Sequence, residues 1–555
     1  MRNRDRTGRV PARAAALVVA LIAVVARGGE VPLEESRVAV TIYTGPVIVT
    51  GDPDLPEAVA IAVDHTGRIV ETYGEVPRDT PWPVRRLPGR LALPGLVDAH
   101  LHVSGIGRLR EQVVLNGCRS AAEAAARVRE FAAANPDLPV IRGRGWDQSL
   151  FPGQAFPTAA DLADVADRPV VLRRVDGHAA WVNAAALAAA GITAATPDPE
   201  GGRIVRDAHG EPTGILVDNA LDLLAPVLPA PTFADRKRWL LAGLAACADA
   251  GLTAVHDMGE TPETADAAQE LADQGRLPIR LFVYLEGSDP GTLAALGRYH
   301  DTDRFSVVGV KYYADGALGS RGAALLADYS DDPGNRGLLV TDPDTLAARI
   351  AAVHRRGFQV AVHAIGDRAN RLVLDAIAAA QDGDTSRRHR VEHAQVVAPD
   401  DFPRFRQLGV VASMQPTHAT SDMRWAERRL GSDRIPGAYA WRTLLDLGVP
   451  LAFGSDAPVE DHAPLPGIYA AVTRQDKSGW PPGGWFPQQR LTDGEAIAAF
   501  TSGAAYAVHR EAELGRLRRG CLFDVTLLDR DPRGHAGQWL AARVVGVVVG
   551  GERVR

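Results

Sequence analysis

The sequence predicts an α/β protein: a (β/α)8 TIM barrel with a small β-sandwich domain formed from both chain ends and an insertion after the first barrel strand. Three observations carry this. Eight short apolar segments recur between residues 96 and 456, most followed by alanine-rich helical stretches such as DTLAARIAAVHRRG and ANRLVLDAIAAAQ, the alternation a barrel requires. Both chain ends instead show short alternating segments, EAVAIAVDHTGRIVETYG early and LFDVTLLD and ARVVGVVVGGERVR late. Histidines, an aspartate and one lysine recur where the apolar segments end, and that rim is where such barrels keep their reacting groups.

Taken in order, the chain opens with Arg2, Arg4, Arg6, Arg9 and Arg13 ahead of AAALVVALIAVV, Ala14 to Val25. That run is too short to span a bilayer and suits the core of a secretory signal, with Val24 and Ala26 at the small positions before a cut. Residues 1–26 are therefore expected to be a signal peptide, and the protein to be exported to the periplasm or medium; a cytoplasmic location is the alternative. No cysteine follows, so no lipid anchor and no stable membrane anchor is expected. Residues 38–92 form the N-terminal part of the β-sandwich, with DHTG as a hairpin turn, and 511–555 complete it. The barrel is expected over 93–510. Its strands are LVDAHLHV (96–103), TAVHDM (253–258), IRLFVYL (279–285), VVGVKYY (307–313), FQVAVHAI (358–365), HRVEHA (389–394), VVASMQP (410–416) and PLAFGSD (450–456). The long interval between the first two, about 104–252, is the insertion.

A net charge of −7 and the lack of a long basic block give no sign of nucleic-acid binding. Cys118, Cys247 and Cys521 are too few and too scattered for a disulfide framework or a zinc finger. Of 61 basic residues only Lys237, Lys311 and Lys477 are lysine, so each raises the question of what arginine could not do there.

The stretch LPGLVDAHLHV puts His100 and His102 on one face of a strand, where they can hold a metal ion between them; alone, the pair could equally be two solvated imidazoles. Alternation directs Asp98, His100 and His102 inward with Val97, Ala99 and Leu101 outward, and likewise Ala452, Gly454 and Asp456 inward. His363 and His393 end the fifth and sixth strands and Asp456 the eighth. Four histidines and an aspartate at one rim suit zinc or a similar divalent ion. Lys311, near the end of the fourth strand, would be repelled there as a cation. Such a lysine is either placed elsewhere or chemically altered: unlike arginine, lysine can lose its proton and act as a nucleophile, and with carbon dioxide it could form a carbamate.

LPGLVDAHLHV, VKYYADGALGSRGAAL, VAVHAIGDRAN, RVEHAQ and FGSDAPVE together resemble the amidohydrolase superfamily. More narrowly they are similar to amidohydrolase family 3, the branch that includes N-substituted formamide deformylases. The resemblance runs from about residue 38 to the C-terminus. It implies that His100, His102 and Asp456 bind one metal and His363 and His393 a second, with Lys311, carboxylated, bridging the two; some superfamily members work with one ion. The implied chemistry is hydrolysis of a non-peptide C–N bond by metal-activated hydroxide, with Asp456 moving the proton to the leaving nitrogen.

Weaker candidates lie nearby. His178 in VDGHAAWVN could polarise a carbonyl, with Trp181 and Asn183 lining the pocket, and Arg321 could meet an anionic group; a structural hydrogen-bonding or bracing role is the alternative for His178 and Arg321. Glu392 and Asp367 could orient ligand histidines, His256 is read as structural, and His418 and Asp422 could reach the mouth. Trp146, Phe151, Trp181, Trp425 and Trp485 suggest a hydrophobic acyl group or N-substituent. The expected partners are a small-molecule amide substrate and, as one option, a second copy in a homodimer. A cyclic-amidine deaminase, an ester or lactone hydrolase, and a non-catalytic metal- or ligand-binding protein are the rival readings.

Overall fold

The computed structural model describes residues 39–174, 179–199, 202–228 and 230–555. The expected signal peptide and His178 lie outside them. Among the described residues, no helix is long and apolar enough to cross a membrane.

The centre is a ring of eight parallel strands: β1 (Leu96–Leu101), β2 (Leu252–Glu260), β3 (Arg280–Glu286), β4 (Phe305–Tyr313), β5 (Gln359–Ala364), β6 (Arg390–His393), β7 (Val411–Met414) and β8 (Leu451–Phe453), each hydrogen-bonded to the next. Parallel strands need both faces covered, which is why these segments read as apolar runs. Val255, Leu281, Val310, Val362, Val391 and Phe453 face the helical layer in one large core. Val97, Ala99, Ala254, Phe282, Ala361, Val411 and Ala452, from six strands, meet in a separate cluster inside the ring.

The last seam, between β8 and β1, closes on a glycine. A Cβ at Gly454 would stand 2.5 Å from both Asp98 Oδ1 and His100 N, so only glycine admits the approach that lets the Asp456 N–H donate to the His100 carbonyl at 2.7 Å. Alternation along β1 does not hold as expected. Val97 and Ala99 point into the ring, not outward, while Leu101 joins the outer core. The β1–β2 register shifts between Val255 and Asp257, and this irregularity changes the facing of the strand just before its histidines.

The chain ends meet in one continuous eight-stranded sheet, where Leu91–Pro94 pairs antiparallel with Val525–Leu528. Ile48, Ile61 and Ile69 from one end share a core with Phe523, Val525 and Val548 from the other. Leu91–Pro94 leads through Gly95 straight into β1, so this sheet anchors the strand that carries the H-x-H pair. The insertion supplies a six-stranded sheet with Gln112–Val114 at one edge and Gly202–Arg206 at the other, with its own core around Trp146 and Trp181. The helix Phe233–Ala250 belongs instead to the barrel layer, with Leu240, Leu244 and Cys247 packed beside Leu96 and Leu101.

Candidate metal centre

At the C-terminal ends of the strands, His100, His102, Lys311, His363, His393 and Asp456 all line one cavity of about 420 Å³. Asp456 is the hub. Its Oδ1 lies 3.3 Å from His102 Nε2 and 3.5 Å from His100 Nε2, and its Oδ2 lies 3.6 Å from His418 Nε2. Two ligands bound at about 2.0–2.2 Å and spread at a tetrahedral angle stand about 3.3–3.5 Å apart, so these separations suit a shared ion. Two groups of potential ligand atoms result: His100, His102 and Asp456, and His393, His418 and Asp456.

The far side of each ring supports the same use. His100 Nδ1 is bonded to Glu392 Oε2 at 2.6 Å, His102 Nδ1 to the Met258 carbonyl at 2.7 Å, and His393 Nδ1 to Gln415 Oε1 at 2.9 Å. With Nδ1 engaged outward, Nε2 is left to ligate, the usual arrangement of a metal-binding histidine. His418 Nε2 is buried with no hydrogen-bond partner, an arrangement that is costly unless a ligand completes it. His363 lies ring to ring with His393 at 4.6 Å and sets its Nε2 3.5 Å from Asp315 Oδ1. Asp315 is itself pinned by the N–H groups of Ala324, Ile365 and Gly366.

Electrostatics keep the histidines ready to coordinate. Burial, reinforced by the charge on Lys311, pushes His100 down to about 4 and His363 down to about 3. Burial likewise holds His393 well below the ordinary imidazole range, so all three are neutral at working pH. For Asp456, burial acts to raise the pKa, but the hydrogen bond with His102 and the neighbouring histidines outweigh it and hold the carboxyl well below its usual range. Lys311 is almost fully buried, with Nζ 3.2 Å from His100 Nε2 and 5.0 Å from the Tyr313 ring centre. Burial lowers it to about 8 against the opposing pull of Glu392 and Asp456. His393 and Asp456 both adopt left-handed backbone, φ 73° and 60°. That costs about 1–3 kcal/mol each for non-glycine residues and concentrates at functional sites.

The model of the amidohydrolase family matches residues 86–555. The chain belongs to the amidohydrolase family. The YtcJ protein of Bacillus subtilis (strain 168) is 36% identical to it over 86% of this chain and 92% of the relative. The N-substituted formamide deformylase of Arthrobacter pascens is 28% identical over 80% and 84%. A solved Pyrococcus horikoshii OT3 structure, described as an uncharacterized metal-dependent hydrolase, superposes with a TM-score of 0.77 at 28% identity, over 90% of this chain and 99% of that one. This amidohydrolase is accordingly a metal-dependent hydrolase with a barrel fold.

Three expected substrate contacts of this amidohydrolase are placed elsewhere. Trp181 is fully buried in the insertion core, where its Nε1–H donates to the Thr158 carbonyl and its ring meets Trp146. Asn183 caps the helix Ala184–Ala189 and bonds the Val165 and Arg168 carbonyls and the Val170 N–H, so its polar atoms are spent within the insertion. Arg321 turns from the cavity to pair with Asp331. Of the five aromatics expected at the mouth, Trp425 lines the cavity. Trp146 and Phe151 are core residues of the insertion, and Trp485 packs on Tyr439 and donates to Glu427. Asp367 accepts from the Leu326 N–H at the start of a helix, whereas Glu392 is bonded to His100. His418 was legible only as a residue near the mouth; its four-residue offset from Met414 at the end of β7, inside PTHATSD, hinted at a helical turn reaching back over the rim.

Proposed function

We propose that this amidohydrolase hydrolyses a non-peptide C–N bond, an amide of the N-substituted formamide class, at a centre built around two divalent ions, zinc by ligand type. The observation that carries the reading is the convergence of imidazole nitrogens and both Asp456 oxygens on one cavity, with the opposite ring nitrogens of His100, His102 and His393 bonded away from it. The deformylase among its relatives supports the bond class. Metal bound here supplies Lewis-acid polarisation of the carbonyl and acidification of water.

The chain's own groups do the rest. Asp456, ionised and central, accepts the proton of the attacking water and returns it to the departing nitrogen, a step amides need because an amide anion leaves poorly. Leu318, Ile365 and Trp425 form an apolar wall of the cavity, fitting a hydrophobic substituent and keeping water from the reacting carbonyl. Lys311 is the residue for carbamate formation: its neutral amine adds to carbon dioxide, releasing one proton and leaving a carboxylate where a cation would oppose the metal.

The test is metal content by elemental analysis on protein expressed with bicarbonate, together with hydrolysis of an N-formyl amine. About two ions per chain, falling with activity in Lys311→Ala, is the expected result. One ion or fewer, unaffected by Lys311→Ala, would overturn the bridged centre.

A further inference from the structure

Beneath the metal-binding rim lies a polar layer of which the proposed chemistry uses Glu392 alone. At its centre is Arg390, on β6 and fully buried. Its Nε donates to Glu392 Oε1 at 2.7 Å and one terminal nitrogen to Glu392 Oε2 at 3.1 Å. The same nitrogen donates to the Ala99 carbonyl at 2.6 Å and to Ser413 Oγ at 2.9 Å. The other lies 3.1 Å from Tyr284 OH and 3.0 Å from His256 Nδ1. The guanidinium thus touches β1, β2, β3 and β7 as well as its own strand.

We infer that Arg390 is a positioning residue for the metal centre, acting through Glu392 on His100. The planar fork grips both Glu392 oxygens, which fixes the plane of the carboxylate. A carboxylate paired in this way only accepts, so the 2.6 Å contact from Oε2 to His100 Nδ1 is donated by the ring. That assigns the proton to Nδ1 and leaves Nε2 bare, facing Asp456 and Lys311. Arg390 also holds the Ala99 carbonyl, in the residue before His100, so it sets the ligand's backbone and its ring together. Lysine could satisfy the charge but not the fork: one ammonium cannot grip both oxygens and also reach Ala99, Ser413 and Tyr284. A buried ion pair alone would be weak evidence of anything beyond packing; the direct bond from the pair to a ligand ring is what gives it a role.

The inference rests on the metal-centre reading, and its test separates the two. Zinc affinity is measured by chelator competition on the full chain for native protein, Arg390→Lys, Glu392→Gln and Ser413→Ala, with cooperative thermal unfolding as the check of fold. Arg390→Lys and Glu392→Gln are expected to bind zinc about 10–100-fold more weakly, with kcat partly restored by excess zinc, while Ser413→Ala, which removes one peripheral partner of Arg390, stays near native affinity. Unchanged zinc affinity in a folded Arg390→Lys or Glu392→Gln overturns the positioning role, as does an equal loss in Ser413→Ala, which would make the layer a scaffold only. Should Arg390→Lys fail to fold, the nearly isosteric Glu392→Gln decides. Native protein without zinc affinity would overturn the metal-centre reading, and this inference with it.

Discussion

Gly454→Ala is the sharpest test of how the barrel seam serves the site. The added methyl would meet Asp98 Oδ1 and His100 N at 2.5 Å and the His100 carbonyl oxygen at 3.0 Å. Two of these are backbone atoms of a central strand, so no side chain can rotate away. Ordinary contact begins near 3.4 Å, so β8 and β1 must part by about 0.9 Å in an interior packed too tightly to absorb it elsewhere. The bond from Asp456 N to the His100 carbonyl, now 2.7 Å, would stretch to about 3.6 Å and cease to count. The Asp456–histidine separations, now 3.3 and 3.5 Å, would open to about 4.2–4.4 Å, beyond the span of two ligands on one ion. The expected cost is about 1–3 kcal/mol of stability and about 100-fold in kcat, with metal lost at the His100–His102 position. Urea unfolding, elemental analysis and turnover of an N-formyl amine read the three effects. Gly494→Ala, in the helix Asp493–Ala499 where an added methyl would meet nothing within 4 Å, is the control and should gain about 0.5–1 kcal/mol. A Gly454→Ala protein with native metal content and kcat within about threefold, well short of the misplacement penalty, would refute the seam argument.

His418→Asn should remove metal from the position it shares with His393 while the His100–His102 position stays filled; metal content and crystallographic occupancy check this, and retention of both ions would return His418 to a structural role. Trp181→Phe removes the donor to the Thr158 carbonyl inside the insertion core and should cost about 1–3 kcal/mol in urea unfolding. Its KM and kcat should stay native for the folded protein, and a selective rise in KM would put Trp181 back at the substrate.

Much of the barrel could be read from the chain because parallel strands buried on both faces advertise themselves. VVGVKYY and FQVAVHAI are apolar runs of strand length, each carrying near its end a residue too polar to sit there without a task, and they became β4 and β5 with Lys311 and His363 at the expected rim. The H-x-H pair was legible for the same reason. Its environment was not: the register shift beside Val255 that turns Val97 and Ala99 inward leaves no mark in a one-letter pattern that alternates regularly. The insertion misled for a different reason. Trp181 and Asn183 stand in a motif next to His178, and adjacency in sequence suggested a shared pocket. Strand alternation and a helix cap instead draw those two side chains into the insertion's own core, where Thr158, Val165 and Arg168 use their polar atoms.

What sequence spacing carries poorly is the second contact of each ligand. A histidine coordinates usefully only when its other nitrogen has somewhere to go, and here those partners come from other strands: Met258 on the adjacent β2 for His102, Gln415 just beyond the adjacent β7 for His393, and Glu392 on β6, across the ring, for His100. Each partner looks ordinary in its own segment. Arg390 and Glu392 read as one polar pair in RVEHAQ, and only closure of the barrel sets the first against Ala99 and the second against His100. The division has a physical basis. Most of the candidate ligands end strands, so their positions follow from strand periodicity, whereas their supports are chosen by which strands the closed ring brings together. A chain could keep all six expected ligands and still lose its metal through a change at Arg390, and loss of zinc affinity in a folded Arg390→Lys protein would be the direct sign of it.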